Sequence, residues 1–426
     1  MNYKQNDKIN QVNEFTLVVG VDIAKQKHYA RAVDFRGIEL GKPLVFTNFQ
    51  EGFQGLLQWV EQLRKEHQKL HVILGVEPTG HYWLSLAEFL RNQGIGLVIV
   101  NPMHVKKSKE LDDNNPTKHD LKDALVIAKL VKDGRYSVPH LPEGIYAELR
   151  NGMNLRERLS QDLIRVQGRI QNWLDRFFPE FTQVFKDWEG KAALLTLREF
   201  PLPQDIVTLG EEKILETWKK EVKRAVGSKR VQQLIQAANK SVGLTAGIRM
   251  ARQELQALLH QYDVLMEEMT LCMEQIERIL SEIPGVPEML TIPGVGLITV
   301  AGFLAEVGDL SHYRHPRQIQ KLAGLNLKEN SSGKHKGQTR ITKRGRPRLR
   351  ALLFRCILPL VAKNEDFKAL HQEYTTRSVN PLKKKQSLVA LCCKLIRILF
   401  ALGRKNESYD SSKWRQPQTQ SLKNAA

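Results

Sequence analysis

Cysteine is scarce in this chain, with four residues among 426. Their spacing fits no zinc-ligand pattern, and Cys392 and Cys393 adjoin each other in an apolar stretch that suits buried thiols. Small proteins that depend on disulfides carry far more cysteine than this. We therefore expect a reducing compartment, with neither a disulfide framework nor a zinc site.

Long uninterrupted apolar runs are also missing. The first fifteen residues contain no apolar signal core, and the most apolar stretch near the other end, 387–402, is broken by Lys394 and Arg397. A membrane-spanning helix needs about 20 consecutive apolar residues. The sequence therefore predicts a cytoplasmic protein that is not secreted and does not span a membrane.

Acidic residues are outnumbered, because 46 Asp and Glu face 65 Lys and Arg and leave a formal net charge of +19. Such a surplus favours a polyanionic partner. It is concentrated between Lys328 and Arg355, where ten basic residues accompany one acid, Glu329. We expect nucleic-acid phosphates to contact these side chains in particular: Lys334, Lys336, Arg340, Lys343, Arg344, Arg346, Arg348 and Arg350.

The N-terminal part of the chain alternates strand and helix patterns. Three short β-branched runs joined by Gly-containing turns predict an antiparallel meander, and helices then alternate with strands. This order is typical of the ribonuclease-H type of mixed α/β layer. The predicted strands are 15–23, 28–35, 44–48, 71–76 and 96–100, and the predicted helices are 53–66, 82–93 and 120–132.

Helical patterns dominate the remainder of the chain. Apolar residues recur at steps of three and four from Leu159 to Phe177 and again from Leu255 to Leu280, which is coiled-coil spacing. The two stripes fit equally well a helical pair within one chain and a coil between two copies. The predicted parts are a polar segment 1–14, a mixed α/β domain 15–140, a helical coiled-coil arm with an insert 141–285, a mainly helical domain 286–402 and a disordered tail 403–426.

Four carboxylates occupy the ends of predicted elements. Asp22 ends the first strand, Glu77 follows the fourth, and Asp120 and Asp123 lie three residues apart at the start of a helix. In a ribonuclease-H layer these ends converge, and four crowded carboxylates need cations to offset their repulsion. The sequence therefore predicts a site for two Mg²⁺ ions about 3.5–4 Å apart. Each acid taken singly also suits a helix cap or a solvated surface.

Two further motifs lie towards the C-terminal end. Gly294 and Gly296 belong to a Pro-Gly-Val-Gly turn before an apolar helix, which resembles a helix-hairpin-helix that binds phosphate through backbone N–H groups. A turn that only permits close packing is the alternative. Ser331-Ser332-Gly333 predicts a flexible polar turn ahead of the basic run, and a serine beside phosphate-holding cations can act as a nucleophile. By spacing alone, such a turn is usually a plain loop.

Together these motifs resemble the DEDD transposases of the insertion-sequence 110 family, which includes the Piv-type DNA invertases. The resemblance runs from about residue 16 to 373 through these stretches: VGVDIAK, GVEPTGHYW, KHDLKDALVIAKL, TIPGVGLITVAGFLAEVGD, KLAGLNL and SSGKHKGQTRITKRGRPRLRALL. It implies a RuvC-like N-terminal domain and a C-terminal transposase domain. The catalytic residues that it implies are the metal ligands Asp22, Glu77, Asp120 and Asp123 and the nucleophile Ser332, in preference to Ser331.

The resemblance also implies partners. It implies donor and target DNA as substrates, a structured noncoding RNA as guide, and a homo-oligomer, a dimer or a synaptic tetramer, in which two subunits share each site. The setting is the prokaryotic cytoplasm, at the nucleoid. Because recombination needs several active sites at once, we expect the stripe from Leu255 to Leu280 to mediate self-association.

The sequence predicts an RNA-guided, Mg²⁺-dependent recombinase that cuts and rejoins DNA through a phosphoserine linkage. Two other functions fit parts of the pattern. A structure-selective nuclease of the junction-resolving type needs the four carboxylates but no serine. A non-catalytic nucleic-acid-binding scaffold accounts for the charge and the glycine turn, but it leaves the carboxylates without a role.

Overall fold

A computed structural model describes residues 5–112, 120–139, 141–222, 227–328, 331–332, 335–336 and 339–415. The chain divides into two compact units, 1–141 and 142–426. The first is a mixed α/β unit and the second is mostly helical, which confirms the predicted change of class along the chain.

The first unit alternates helices and strands. Its strands are β1 (Thr16–Asp22), β2 (Lys27–Val33), β3 (Glu39–Thr47), β4 (His71–Val76), β5 (Leu97–Val100) and β6 (Tyr136–Ser137). Its helices are α1 (Gln5–Asn10), α2 (Gln50–Glu66), α3 (Trp83–Asn92), α4 (Pro102–Asp112) and α5 (Asp120–Lys132). The sequence predicted neither α4 nor β6.

The six strands form one mixed sheet in the order β3-β2-β1-β4-β5-β6. β1, β2 and β3 are successive antiparallel neighbours, so the predicted meander is confirmed. β1, β4 and β5 run parallel, and β6 closes the edge antiparallel to β5. The three parallel strands therefore place their carboxyl ends at one edge of the sheet.

Helix α5 lies directly against the centre of this sheet because two glycines leave room for it. A Cβ atom at Gly20 would lie 2.2 Å from the carbonyl oxygen of Ala124, and one at Gly75 would lie 2.3 Å from Cγ2 of Val131. Ala124 directly follows the first turn of α5, and Gly20 precedes the end of β1 by two residues. The first turn of α5 is thereby held beside the carboxyl end of β1.

In its described residues, the second unit consists of helices and four strands of two residues each. The helices are α6 (Gly144–Phe177), α7 (Phe181–Val184), α8 (Lys191–Glu199), α9 (Pro203–Glu221), α10 (Ser228–Asn239), α11 (Ile248–Ser281), α12 (Val286–Leu290), α13 (Leu297–Val307), α14 (Pro316–Leu322), α15 (Pro347–Lys363), α16 (Glu365–Thr376), α17 (Lys384–Lys405) and α18 (Ser411–Arg415). The strands are β7 (Leu327–Lys328), β8 (Ser331–Ser332), β9 (His335–Lys336) and β10 (Arg340–Ile341).

The long helices α6 and α11 pack on each other within the chain. Leu255, Leu259 and Leu280 of the second stripe are at most 3% exposed, and the indole N–H of Trp173 donates to the carbonyl of Ala251 at 2.8 Å. One half of the pair shares a core with α7 to α10, and the other half shares a core with α12 to α17. Both ends of the second stripe are thus buried within their own chain, whereas Met266 in its middle is exposed, so self-association through this stripe stays a prediction.

Helix α17 is the one described helix that is long and apolar enough to cross a membrane by length and composition. Its side chains Leu391, Leu395 and Leu399 are completely buried and belong to the core of the second unit. Burial within a protein core accounts for this apolar composition without a membrane.

The predicted disordered tail needs a correction over residues 403–415. Helix α17 continues to Lys405, and Tyr409 then joins the preceding helices by donating its hydroxyl to the carboxylate of Asp366 at 2.9 Å and its backbone N–H to the hydroxyl of Thr291 at 2.8 Å. The polar composition of this segment gave no indication of these two hydrogen bonds. Residues 416–426 lie outside the described part of the chain.

Candidate active site

Asp22 and Glu77 lie at the carboxyl ends of two neighbouring parallel strands. Val21 and Val76 are the last residues that pair between β1 and β4, and each is followed directly in sequence by one of the two acids. Both acids are partly buried. The parallel register therefore brings two of the four predicted carboxylates to the same point of the sheet edge.

Asp123 joins this edge from the first turn of α5. Its carboxylate forms an ion pair with the ammonium group of Lys109, which comes from α4. Burial raises the pKa of the Glu77 carboxyl above its ordinary value, the nearby Lys109 lowers this pKa, and Asp123 raises it. Glu77, Asp123 and Lys109 are thus close enough to form one electrostatic cluster.

Asp120 is the first residue of α5, one turn ahead of Asp123. Its side chain lies outside the described residues, as does all of His119. The structure therefore places three of the four predicted carboxylates at the edge, and of Asp120 it places the backbone alone.

The donor set at this edge suits a magnesium ion. Carboxylate oxygens are the ligands that Mg²⁺ prefers, and a desolvated Glu77 close to a second carboxylate favours the binding of a cation. Among the described side chains, however, no three of His, Cys, Asp or Glu form a cluster ready to hold a metal. One of the carboxylate oxygens, on Asp123, is already paired with the ammonium group of Lys109.

Two features of this edge were missed by reasoning from the sequence. Lys109 lies on α4, where Val105 is the one buried side chain among the described residues 102–109, and the polar sequence of this helix gave no periodic signal. His81 and Tyr82 follow Glu77 closely, and their rings lie 4.4 Å apart between centroids, with His81 exposed. The adjacent His and Tyr of the GVEPTGHYW stretch could have indicated this pair.

The glycine turn of the second unit lies between two helices, as the predicted helix-hairpin-helix requires. It connects α12 with α13, and Gly294 has φ of +92°, a conformation that favours glycine. Gly296 is exposed and precedes the first turn of α13. The side-chain N–H of Asn364 donates to the carbonyl of Pro293 at 2.9 Å and fixes the turn to α16.

Ser331 and Ser332 form a short strand, β8, that pairs with β9 and is here called the serine hairpin, whereas Gly333 of the predicted turn lies outside the described residues. Ser331 pairs with Lys336 and Ser332 with His335, and β7 pairs with β10 as a separate two-stranded sheet. The side chains of the two serines and of Lys336 lie outside the described residues, as does all of Lys334.

The basic side chains after this hairpin fall into two groups. Arg340, Lys343, Arg344 and Arg348 are exposed, and Arg348 also bonds to the side chain of Asn154. Two others are partly buried and fasten the segment to its own unit. Arg346 bonds to the carbonyl of Glu306 and lies 3.7 Å from its carboxylate, and Arg350 donates to the carbonyl of Ala323 at 2.9 Å.

Two family models match the chain, and together they cover more than half of it. Residues 19–179 match a model of DEDD transposases of the IS110 type, described as "Transposase". Residues 286–372 match a model described as "Transposase IS116/IS110/IS902 family". The first range contains all four predicted carboxylates, and the second contains the glycine turn and the serine hairpin.

Curated proteins from several bacteria are similar along the chain. The insertion element IS116 uncharacterized 44.8 kDa protein of Streptomyces clavuligerus is 25% identical over 390 residues, which cover 91% of this chain and 94% of that protein. The pilin gene-inverting protein of Moraxella bovis is 26% identical over 397 residues, with 92% and 97% covered. The transposase for insertion sequence element IS1111A of Coxiella burnetii is 28% identical over 175 residues, with 40% and 46% covered. The chain belongs to the IS110 family of transposases.

Proposed function

We propose that this protein is an enzyme that cuts and rejoins DNA, with a Mg²⁺-dependent carboxylate site in a RuvC-like N-terminal unit and Ser332 as nucleophile. The observation that carries the proposal is the meeting of Asp22, Glu77 and Asp123 at one edge of the mixed sheet. The sheet has three successive antiparallel strands followed by parallel strands, and this order suits a ribonuclease-H layer.

The carboxylates act as metal ligands in this proposal, with Asp120 as the fourth. Mg²⁺, when bound, supplies Lewis acidity that orients an attacking oxygen and offsets the charge of the reacting phosphate. The chain's own contribution is to hold the acids in place: the parallel register fixes Asp22 beside Glu77, and close contact at Gly20 fixes the first turn of α5.

Ser332 attacks the phosphorus atom of a DNA phosphodiester in the proposed reaction. Its oxygen forms the new bond to phosphorus, its proton leaves to a base, and a deoxyribose oxygen departs, which gives a phosphoserine linkage. Rejoining reverses this exchange with another DNA end. The exposed cations Arg340, Lys343 and Arg344 follow the serine hairpin closely in sequence and suit phosphate binding there.

The proposed partners are donor and target DNA, a structured noncoding RNA as guide, and further copies of the chain as a dimer or tetramer. The net charge of +19 favours nucleic acid, and the relatives include proteins named as a transposase and as a pilin gene-inverting protein. Such an enzyme acts in the prokaryotic cytoplasm, at the nucleoid.

A recombination assay with the carboxylate variants tests this function. A plasmid supplies the gene with its flanking noncoding DNA, and joined products are counted for Asp22→Ala, Asp123→Ala and the control Asp133→Ala, whose side chain pairs with Lys132 instead. We expect the first two variants to lose recombination with unchanged circular dichroism and the control to retain it. Wild-type recombination by both variants would contradict the metal site, whereas cleavage without rejoining would favour the nuclease.

A further inference from the structure

Lys109 reaches the carboxylate edge because of its position on α4. Val105, one turn earlier, is 1% exposed and anchors the helix in the core of the first unit. Residues four apart share a helix face, so Lys109 lies on the inward side, whereas Lys106 and Lys107 are exposed. The same helix therefore carries two solvent-facing lysines and one that faces the acids.

Both partners of the ion pair between Lys109 and Asp123 are partly shielded from solvent. The side chain of Asp123 is 19% exposed and that of Lys109 is 33% exposed. An ammonium in this position provides the positive charge that two neighbouring carboxylates need. It occupies an oxygen of Asp123 that the proposed function assigns to a metal.

We propose that Lys109 is a built-in counter-ion that competes with the divalent metal for Asp123. In the metal-free protein its ammonium stabilises the carboxylate edge, and metal binding requires Asp123 to release it. This inference rests on the proposed metal site. Two cations that compete for one carboxylate weaken each other's binding to the same extent, so the removal of Lys109 strengthens metal binding and destabilises the metal-free state.

Metal titration of the full-length protein without nucleic acid tests this competition. Mn²⁺ binding is followed by electron paramagnetic resonance, and the melting temperature is measured with and without Mg²⁺. The variant is Lys109→Met, and Lys106→Met is the matched control, because it removes the same charge from the exposed face of the same helix. Lys109→Arg keeps a competing cation and provides a conservative comparison.

We expect Lys109→Met to bind Mn²⁺ about threefold to tenfold more tightly, as expected when one partly shielded ion pair is lost. Its metal-free melting temperature falls and its stabilisation by Mg²⁺ grows, while Lys106→Met and Lys109→Arg stay close to wild type. Unchanged or weaker binding of Mn²⁺ by Lys109→Met would overturn the proposal that Lys109 competes with the metal.

The outcome also separates the two proposals. If wild type binds Mn²⁺, Asp123→Ala abolishes binding and Lys109→Met changes nothing, the metal site stands and the role of Lys109 is wrong. If neither wild type nor Lys109→Met binds Mn²⁺, both proposals are wrong.

Discussion

Gly20 shows how one residue positions the candidate site. Its missing side chain lets the backbone of α5 approach β1, since a Cβ atom would lie 2.2 Å from one backbone atom of α5 and 2.3 Å from another. We predict that Gly20→Ala lowers the free energy of unfolding of the first unit by about 3 kcal/mol, the cost of forcing a methyl group into a packed core. Hydrogen exchange of the central strands measures this loss.

Gly55→Ala is the control for the same substitution. Gly55 lies in α2, and a Cβ atom there would meet nothing within 4 Å. Alanine is a better helix former than glycine, so this variant gains about 0.5–1 kcal/mol. Equal effects of the two substitutions would contradict the close approach at Gly20.

His28 predicts how the first unit responds to acid. The residue is completely buried, its Nδ1 accepts the N–H of Ala24 at 3.3 Å, and its ring packs between Phe46 and Phe53. Burial lowers the pKa of His28, and the neighbouring Asn48 partly raises it. The unfolded chain therefore takes up a proton first, at an ordinary histidine pKa of about 6.5, and stability is lost as the pH falls below that value.

Calorimetry at pH 7.5 and pH 5.5 checks this prediction. We expect the melting temperature of the first unit to fall on acidification in the wild type and to fall less in His28→Phe, which has no proton to gain. His71→Phe removes an exposed histidine and keeps the wild-type response. Equal acid responses of His28→Phe and wild type would contradict the buried neutral imidazole.

The site residues were predictable from sequence to different extents. Asp22 and Glu77 could be predicted because each acid follows a β-branched run, and the ends of neighbouring parallel strands meet at one edge of the sheet. Lys109 could not be predicted, because its role depends on the tertiary contact between α4 and α5 and not on any local pattern. The same holds for Arg346, whose partner Glu306 is 40 residues away.

At the scale of elements, strongly periodic segments were predictable and short ones were not. The two long helices α6 and α11 follow directly from their apolar spacing. β6 has two residues and α4 has little apolar character, so neither produces a recognisable period. Residues 403–415 of the predicted tail were misjudged because hydrogen bonds from Tyr409 to distant residues order a polar segment.

The helical pair predicts different outcomes for two apolar residues of α11. Leu259 is 3% exposed, whereas Met266 is 42% exposed. We expect Leu259→Asp to unfold the second unit at every protein concentration, because it places a charge in the core, and Met266→Asp to leave its melting temperature nearly unchanged. Analytical ultracentrifugation and thermal melts distinguish the two. A folded but dissociated Leu259→Asp protein would instead mean that this stripe lies between chains.

The exposed and partly buried cations of the basic segment also predict different outcomes. Reversing Lys343 and Arg344 to Glu should weaken nucleic-acid binding across all sequences and flatten its salt dependence by about one unit of slope per lost phosphate contact. Arg346→Gln should instead lower stability, since Arg346 bonds to Glu306. An unchanged slope in the double variant would mean that the segment does not contact phosphate.

At the scale of the whole molecule, the two family matches cover the proposed catalytic residues in both units. The first match covers the carboxylate edge, and the second covers the serine hairpin. Charge and composition alone could predict a nucleic-acid partner. The assignment of a serine required the family resemblance, because a Ser-Ser-Gly turn has no distinctive chemistry of its own.

We propose that DNA is cut and rejoined through a covalent link to Ser332, and peptide mapping of a trapped protein–DNA adduct identifies the residue that carries this link. The full chain is incubated with Mg²⁺, element-end DNA and RNA transcribed from the flanking noncoding DNA, and then digested and sequenced by mass spectrometry. We predict an adduct on Ser332 that is absent from Ser332→Ala and Asp123→Ala and retained in Ser331→Ala. An adduct on any other residue, or recombination by Ser332→Ala, would contradict the account.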